Sequence, residues 1–319
     1  MMRIVFMGTP DFAVGALEAI IEAGHQVAAV VTQPDKPKGR GKEMQMTPVK
    51  CCALKYDIPV FQPVKVKTPE AVETLRTYGA DIFVVAAFGQ ILSEEILQMP
   101  KYGCVCIHAS LLPKYRGAGP IQQAILDGEK ESGITIMQMD KGIDTGDMLF
   151  QSVVPIAEKE TGDSLHDKLA AEGARLIIEA LPKIEAGEVT PVKQDDEKSC
   201  YAGMLQKSMG EIDWEKDAAC IERMVRGLNS WPSAYTFYRG KTLKIWESDI
   251  DKEKVGLAAA VPGTITAVDK DAIYVQTKDA SLKVTVVQLE GKKRMAVKDF
   301  LLGNQVKTGE ILGNKEGSR

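Results

Sequence analysis

The chain of 319 residues has no C-x-x-C pair among its six cysteines, Cys51, Cys52, Cys104, Cys106, Cys200 and Cys220. In a chain of this size they read as reduced cytosolic thiols rather than a disulfide framework. No apolar run reaches the ~18 residues that cross a bilayer. The uncharged stretch Val255–Val268 is broken by Pro262 and Gly263. Met1-Met2-Arg3 leads straight into a strand-like segment and Asp11, without the charged, apolar and small-residue regions of a signal peptide. A cytoplasmic protein with no membrane partner is expected. Basic residues are not in excess either: 40 Lys and Arg stand against 44 Asp and Glu, a net charge of −4, which excludes a strongly basic nucleic-acid coat. The charge is uneven, however. From Lys207 on, 19 basic residues against 16 acidic give +3, while residues 1–206 carry 21 against 28, or −7. A basic C-terminal part on an acidic body suits a polyanionic partner met from one side.

What is present is a globular composition, 45% hydrophobic and 26% charged. The length suggests two domains. The apolar run Arg3–Met7 ends at Gly8-Thr9-Pro10, and Asp11–Ala23 places Phe12, Leu17, Ile20 and Ile21 at helical spacing. Gln26–Thr32, Asp81–Ala87 and Gly103–His108 are strand-like, and Pro69–Tyr78 is helical. Continuous apolar strands separated by amphipathic helices predict a doubly wound, mostly parallel, Rossmann-like α/β sheet over residues 1–181. Pro191, the Gln194–Lys198 cluster and the loss of periodicity predict a linker over 182–206. Residues 207–319 hold one helical pattern, Ala218–Leu228. Five strand-like runs follow: Ala234–Tyr238, Thr242–Glu247, Gly263–Val268, Ala272–Gln276 and Ser281–Leu289. The count fits a small OB-like β-barrel.

The loop Gly8-Thr9-Pro10-Asp11-Phe12 holds one glycine where a dinucleotide fold needs G-x-G-x-x-G, so a dehydrogenase reading loses its main support. Cys104, Cys106 and His108 alternate on one strand and can share a face. A structural zinc needs about four ligands, and no fourth is evident, so no metal is expected and Cys104 reads as a core residue. His25 and His166 read as surface positions. His108 ends its strand, where a doubly wound sheet binds ligands, and opens into the loop 109–120. At another strand end, Met139–Asp147 carries Asp140, Asp144 and Asp147, one of which can turn inward and orient the His108 imidazole. The stretch Thr32–Lys42 carries Lys36, Lys38, Arg40 and Lys42 between prolines and glycines and reads as an exposed loop suited to phosphate. Lys292, Lys293 and Arg294 are the corresponding cations of the C-terminal barrel.

His108-Ala-Ser-Leu-Leu-Pro113-x-x-Arg116-Gly117, followed by Asp140-x-Gly142-x-Asp144-x-Gly146-Asp147, resembles the folate-dependent formyltransferases. Phe6-Met-Gly-Thr-Pro-Asp-Phe12, Thr32-Gln-Pro-Asp35, Gly39-Arg-Gly-Lys42 and Val225-Arg-Gly-Leu-Asn229-x-Trp231-Pro232 are similar to the members of that family that act on methionyl-tRNA. The resemblance runs from Arg3 to about Leu302. It implies formyl transfer from 10-formyltetrahydrofolate to the α-amine of methionine on charged initiator tRNA, by a monomer that uses no metal. His108 would move the proton and Asp144 would orient it. Ser110, Leu111, Leu112 and Pro113, the segment Phe88, Gly89, Gln90, Ile91 and Leu92, and Asp140 would hold the folate. Lys36, Lys38, Arg40, Lys42, Lys292, Lys293 and Arg294 would meet the tRNA. The family places Asn two residues before the His as the donor to the formyl oxygen; here Cys106 stands there, and a thiol is a weak donor. Gly119 and Gln123 also depart from the pattern. Two other readings stay open: a formyltransferase on a small amine or a formyltetrahydrofolate hydrolase, and a non-catalytic folate- or tRNA-binding protein.

Overall fold

A computed structural model describes residues 1–38, 43–251 and 260–313. The chain packs as two units. The first gathers Met1–Pro120, Glu131–Pro155 and His166–Gly203; the second gathers Ile121–Lys130, Ile156–Leu165 and the chain from Met204 on. The expected division is into 1–181, a linker over 182–206, and 207–319; two short segments of the first half, 121–130 and 156–165, group with the second unit.

The first half runs β1 (Arg3–Gly8), α1 (Val14–Glu22), β2 (Gln26–Val31), β3 (Lys36–Lys38), β4 (Glu43–Gln45), α2 (Pro48–Lys55), β5 (Val60–Phe61), α3 (Pro69–Thr77), β6 (Ile82–Ala86), α4 (Glu94–Leu97), β7 (Cys104–His108), α5 (Pro120–Asp127), β8 (Glu131–Gln138), β9 (Met148–Pro155) and α6 (Gly162–Ala186). Seven strands form one sheet in the order β5-β2-β1-β6-β7-β8-β9. The strands from β5 to β7 are parallel, and β8 and β9 are added antiparallel. Every residue of β6 and β7 is buried, which is why these strands read as unbroken apolar runs. The helices have ordinary causes. In α3, Thr68 accepts from the Ala71 N–H and Pro69 opens the first turn, while Ala71, Val72 and Leu75 face the core.

Three local expectations give way. Helix α6 continues through Pro182 to Ala186, because Ile177, Ala180, Leu181 and Ile184 keep a buried stripe across the proline. The basic stretch is not simply a loop: β3 and β4 pair antiparallel, with Lys36 opposite Gln45 and Lys38 opposite Glu43. Strand β9 had no counterpart in the sequence reading, since it is an edge strand that buries none of its residues fully.

The second unit contains α7 (Ala218–Gly227), β10 (Ala234–Tyr238), β11 (Lys241–Asp251), β12 (Ile265–Val268), β13 (Ile273–Gln276), β14 (Ser281–Leu289), β15 (Met295–Ala296) and α8 (Val297–Gly303). The strands form an antiparallel sheet in the order β10-β11-β14-β13-β12, with β15 on β14. The segment 309–313 hydrogen-bonds to both edges of this sheet: the Gly309 N–H donates to the Ile265 carbonyl of β12 and the Gly313 N–H to the Phe237 carbonyl of β10. Its core joins Ile221 and Val225 of α7 to Leu243, Ile245, Val275, Val287 and Phe300. Among the described residues no helix is long and apolar enough to cross a membrane.

Phe83, 1% exposed in β6, fills the middle of one layer of the first core. Phe83→Ala is expected to cost about 3–5 kcal/mol in urea unfolding of the full chain, the range for emptying a buried aromatic site. A loss below about 1 kcal/mol would contradict the packing described here.

Candidate functional site

The site starts from one register. Strand β8 runs against β7 with Val105 opposite Gln138 and His108 opposite Thr135. The C-terminal end of β8 therefore lies beside the start of β7, away from His108. The two strand ends do not sit side by side, so the 139–147 loop must fold back for its carboxylate to reach the imidazole. It does so with Asp144 in the left-handed region, φ 54°, and with Gly146 against the Gln138 carbonyl, where a Cβ would collide. Asp144 Oδ2 then lies 3.7 Å from His108 Nδ1.

The loop opened by His108 supplies the other half. His108 is 6% exposed, and its Nε2 lies 3.0 Å from the Tyr115 carbonyl oxygen. A carbonyl only accepts, so this contact places the ring proton on Nε2 and leaves Nδ1 as the basic nitrogen of the neutral ring, facing Asp144. Tyr115 is itself left-handed, φ 60°. Two residues on, the Gly117 N–H donates to Asp144 Oδ2 at 2.8 Å, so the loop that holds the imidazole also holds the carboxylate.

Cys106 points to the same side as His108 and packs with Leu112 and Met137. Burial first, and the Asp144 charge second, push its thiol well above the ordinary range, so the sulfur carries its proton at neutral pH. Ser110 and its neighbours build the loop. The Ser110 hydroxyl donates to the Lys114 carbonyl, the Leu112 N–H donates to Thr135 Oγ1, and Leu111 fills the space beside Gly133. Pro113, half-buried, follows Leu112 in the same turn. Asp140 is exposed, and its Oδ1 accepts from the Gly142 N–H and the Thr145 hydroxyl, so it shapes its own loop.

Beyond β6, Phe88 and Leu92 are buried and Ile91 is 69% exposed. The Phe88 carbonyl accepts from Thr9 Oγ1 and Gln33 Nε2, the Gly89 carbonyl accepts from Gln33 Nε2, and the Gln90 side chain bridges the Val66 N–H and the Pro63 carbonyl. The main-chain groups of Ile91 and Leu92 have no hydrogen-bond partner among the described residues, and Ser93 Oγ is buried without one. A pinned segment with such an open polar edge beside an exposed isoleucine can take a flat heterocycle that has its own donors and acceptors.

The cations are scattered. Lys36 lies exposed on β3, and the backbone of Lys38 completes that strand. Arg40 and Lys42 fall outside the described residues. Lys292 and Lys293 are exposed in the turn after β14, while Arg294 covers Trp246 at 4.8 Å and pairs with Glu247 at 2.9 Å. Among the described residues, no three His, Cys, Asp or Glu gather as metal ligands.

Sequence reasoning missed the stretch 191–203, taken as part of a linker. Val192 bridges to Met148 by two main-chain hydrogen bonds. The Arg116 N–H donates to the Cys200 carbonyl, and the Ala202 N–H donates to the Arg116 carbonyl. The Tyr115 N–H lies 3.2 Å from Cys200 Sγ. A Cβ on Gly117 would stand 2.5 Å from the Ala202 carbonyl oxygen, so glycine follows Arg116 because this stretch passes too close for any side chain. Gln194 reaches both loops: its Nε2 donates to the carbonyls of Asp144 and Gly146, each at 2.8 Å, and its Oε1 accepts from Arg116 Nε at 2.9 Å. The interruption of helical periodicity gave no signal of these contacts.

The class that this fold and site define is the formyl transferases: the model for "Formyl transferase" matches residues 2–181, and the one for "Formyl transferase, C-terminal domain" matches 204–305. The chain is 55% identical to the methionyl-tRNA formyltransferase of Agathobacter rectalis, over 97% of this chain and 99% of that one. It is 54% identical to the protein of the same name from Lachnospira eligens, over 98% and 100%. The chain belongs to the methionyl-tRNA formyltransferase family. A structure of HypX from Aquifex aeolicus in complex with tetrahydrofolic acid has a TM-score of 0.63 at 18% identity, covering 94% of this chain and 47% of that one, a likeness of fold.

The thiols separate by environment. Cys51, Cys200 and Cys220 are exposed, whereas burial pushes Cys52 up to about 11, Cys104 to about 12 and Cys106 further still. At pH 8 an alkylating reagent is expected to label the three exposed cysteines quickly and the other three only after unfolding, counted by mass spectrometry. Labelling of Cys106 as fast as Cys51 would contradict its burial.

Proposed function

We propose that this chain moves the formyl group of 10-formyltetrahydrofolate to the α-amine of methionine on charged initiator tRNA, for translation initiation. The observation that carries the reading is the pairing of His108 Nδ1 with Asp144 across a folded-back loop, in a chain of this family. The bound folate supplies an activated formyl carbon and leaves with a proton on N10. His108 Nδ1 takes the proton that the attacking amine gives up as its bond to carbon forms, and returns it to N10 as the old carbon–nitrogen bond breaks. Asp144 stabilises the imidazolium between these events, while the Nε2 contact to Tyr115 keeps the ring from turning. The S–H of Cys106 faces the charge that develops on the formyl oxygen, where an amide would donate more strongly. The open polar edge at Ile91 and Leu92 fits the donor–acceptor rim of a pterin, with Phe88, Gly89, Gln90 and the 110–113 turn as its frame. Asp140 shapes the rim rather than touching the ring.

The tRNA is met by the cations of the 36–42 stretch and by Lys292, Lys293 and Arg294, in a C-terminal part, 207–319, that we assign to tRNA binding. The chain acts in the cytoplasm as a monomer.

The reading is tested by transfer of labelled formyl to charged initiator tRNA, with free methionine and water as competing acceptors. Transfer to the charged tRNA is expected to dominate, and His108→Ala is expected to lower turnover by about 10² or more with the fold kept. Near-normal transfer by His108→Ala would sink the assignment.

Cys106→Asn is expected to raise turnover on charged tRNA and leave folate affinity nearly unchanged, since the restored donor acts on charge formed in the transition state; one such donor is worth about 10²–10³ elsewhere. Unchanged or lower turnover would mean that the pocket of Leu112 and Met137 is shaped to the thiol and that the amide crowds His108.

A further inference from the structure

Asp144 has to be held at His108 although the strand that leads to it ends beside the opposite end of β7. The Gly117 N–H fixes the carboxylate. It does not fix the backbone of Asp144, which sits in a left-handed conformation that a non-glycine residue keeps only when its surroundings over-determine it. The backbone carbonyls on either side of the turn, those of Asp144 and Gly146, share one donor, Gln194 Nε2. The other end of that amide accepts from Arg116 Nε, and the Arg116 backbone is tied to Cys200 and Ala202. One side chain thus joins the acid-bearing loop to the loop that carries Tyr115 and Gly117. Gln194 is half-buried, while its neighbours Lys193 and Asp195 are exposed, so it is the residue of its stretch that turns inward.

We propose that Gln194 is a positioning residue for the formyl transfer: it clamps the Asp144 turn to the Tyr115–Gly117 loop and so sets the distance between Asp144 and His108. It touches neither the reacting atoms nor the imidazole. The proposal rests on the role given above to the His108–Asp144 pair. Either amide orientation is decided by the partners: two carbonyls demand the N–H₂ group, and an arginine N–H demands the oxygen. Glutamate at this position keeps the shape and the acceptor for Arg116 but turns a carboxylate toward two carbonyl oxygens, which opens the clamp from one side only.

The experiment measures kcat, KM for charged initiator tRNA and folate affinity for Gln194→Met and Gln194→Glu, alone and combined with Asp144→Ala, in the full chain. Loss of positioning on the ångström scale costs up to about 10²-fold in rate, so both single variants are expected to lose about 10- to 100-fold in kcat, with KM and folate affinity within about twofold of the parent. In the Asp144→Ala background the further loss is expected to stay below about twofold, because the residue that Gln194 acts through is gone. Unchanged kcat in both single variants overturns the proposal. So does a loss that persists at full size beside Asp144→Ala, which is the mark of a merely structural role. If Gln194→Met does not fold, Gln194→Glu carries the same comparison. The failure of the underlying reading has its own signature: His108→Ala and Asp144→Ala would then both retain transfer, whatever the Gln194 variants do.

Discussion

The antiparallel pairing of β8 against β7 is the constraint from which the site's other features follow. In an all-parallel sheet, the loops after neighbouring strands open on the same edge, and an acid after one strand meets a histidine after the next without special provision. Here Val105 faces Gln138, so the chain leaves β8 at the opposite end from His108. The 139–147 loop has to return along the sheet, and everything unusual in it serves that return. Asp144 turns left-handed, Gly146 gives up a side chain where the backbone doubles back on Gln138, and Asp140 spends its carboxylate on the Gly142 and Thr145 groups that shape the bend.

A bend of this kind is not held by propensity. Left-handed non-glycine residues cost on the order of 1–3 kcal/mol each, and both Asp144 and Tyr115 are of that type. A single hydrogen bond contributes about 1 kcal/mol net. Several acting on the same few atoms are needed, and the stretch 191–203 supplies them by running alongside both loops. That explains why Arg116 is followed by glycine: the Ala202 carbonyl and the Tyr201 ring occupy the place of a Cβ.

The sheet was legible where burial was complete on both faces. β1, β6 and β7 read as unbroken apolar runs, and α7 read as a helix because Ile221 and Val225 recur at its spacing on the buried side. β9 was not legible, because as an edge strand it leaves Val153 57% exposed and offers no strong alternation. β3 and β4 are three residues each, with Pro37 in one of them, below the length at which a strand pattern shows. Within the site, the spacing of His108 and Asp144 showed through the motifs, although which end of the sheet each occupied did not. The motif around Leu111 and Leu112 suggested ligand contacts, yet Leu112 is 3% exposed and packs on Cys106 and Met137, and a sequence pattern alone cannot separate residues that touch a ligand from those that build its frame. Gln194 was illegible for a different reason: its role exists only because two loops distant in sequence meet beside it.

The membership of 121–130 and 156–165 in the second unit bears on how such a chain can be shortened or recombined. Those segments are held by groups far down the sequence. Arg223 Nε donates to the Leu126 carbonyl, Arg226 Nη1 to the Glu160 carbonyl, and the Ser230 N–H to Asp163 Oδ1. A break anywhere near residue 181 or 204 therefore strands ten-residue pieces of one unit on the fragment that carries the other, leaving their carbonyls and the apolar side of α5 without cover. A graft of either part onto a foreign partner therefore keeps its own cover only if it carries the interleaved segments with it.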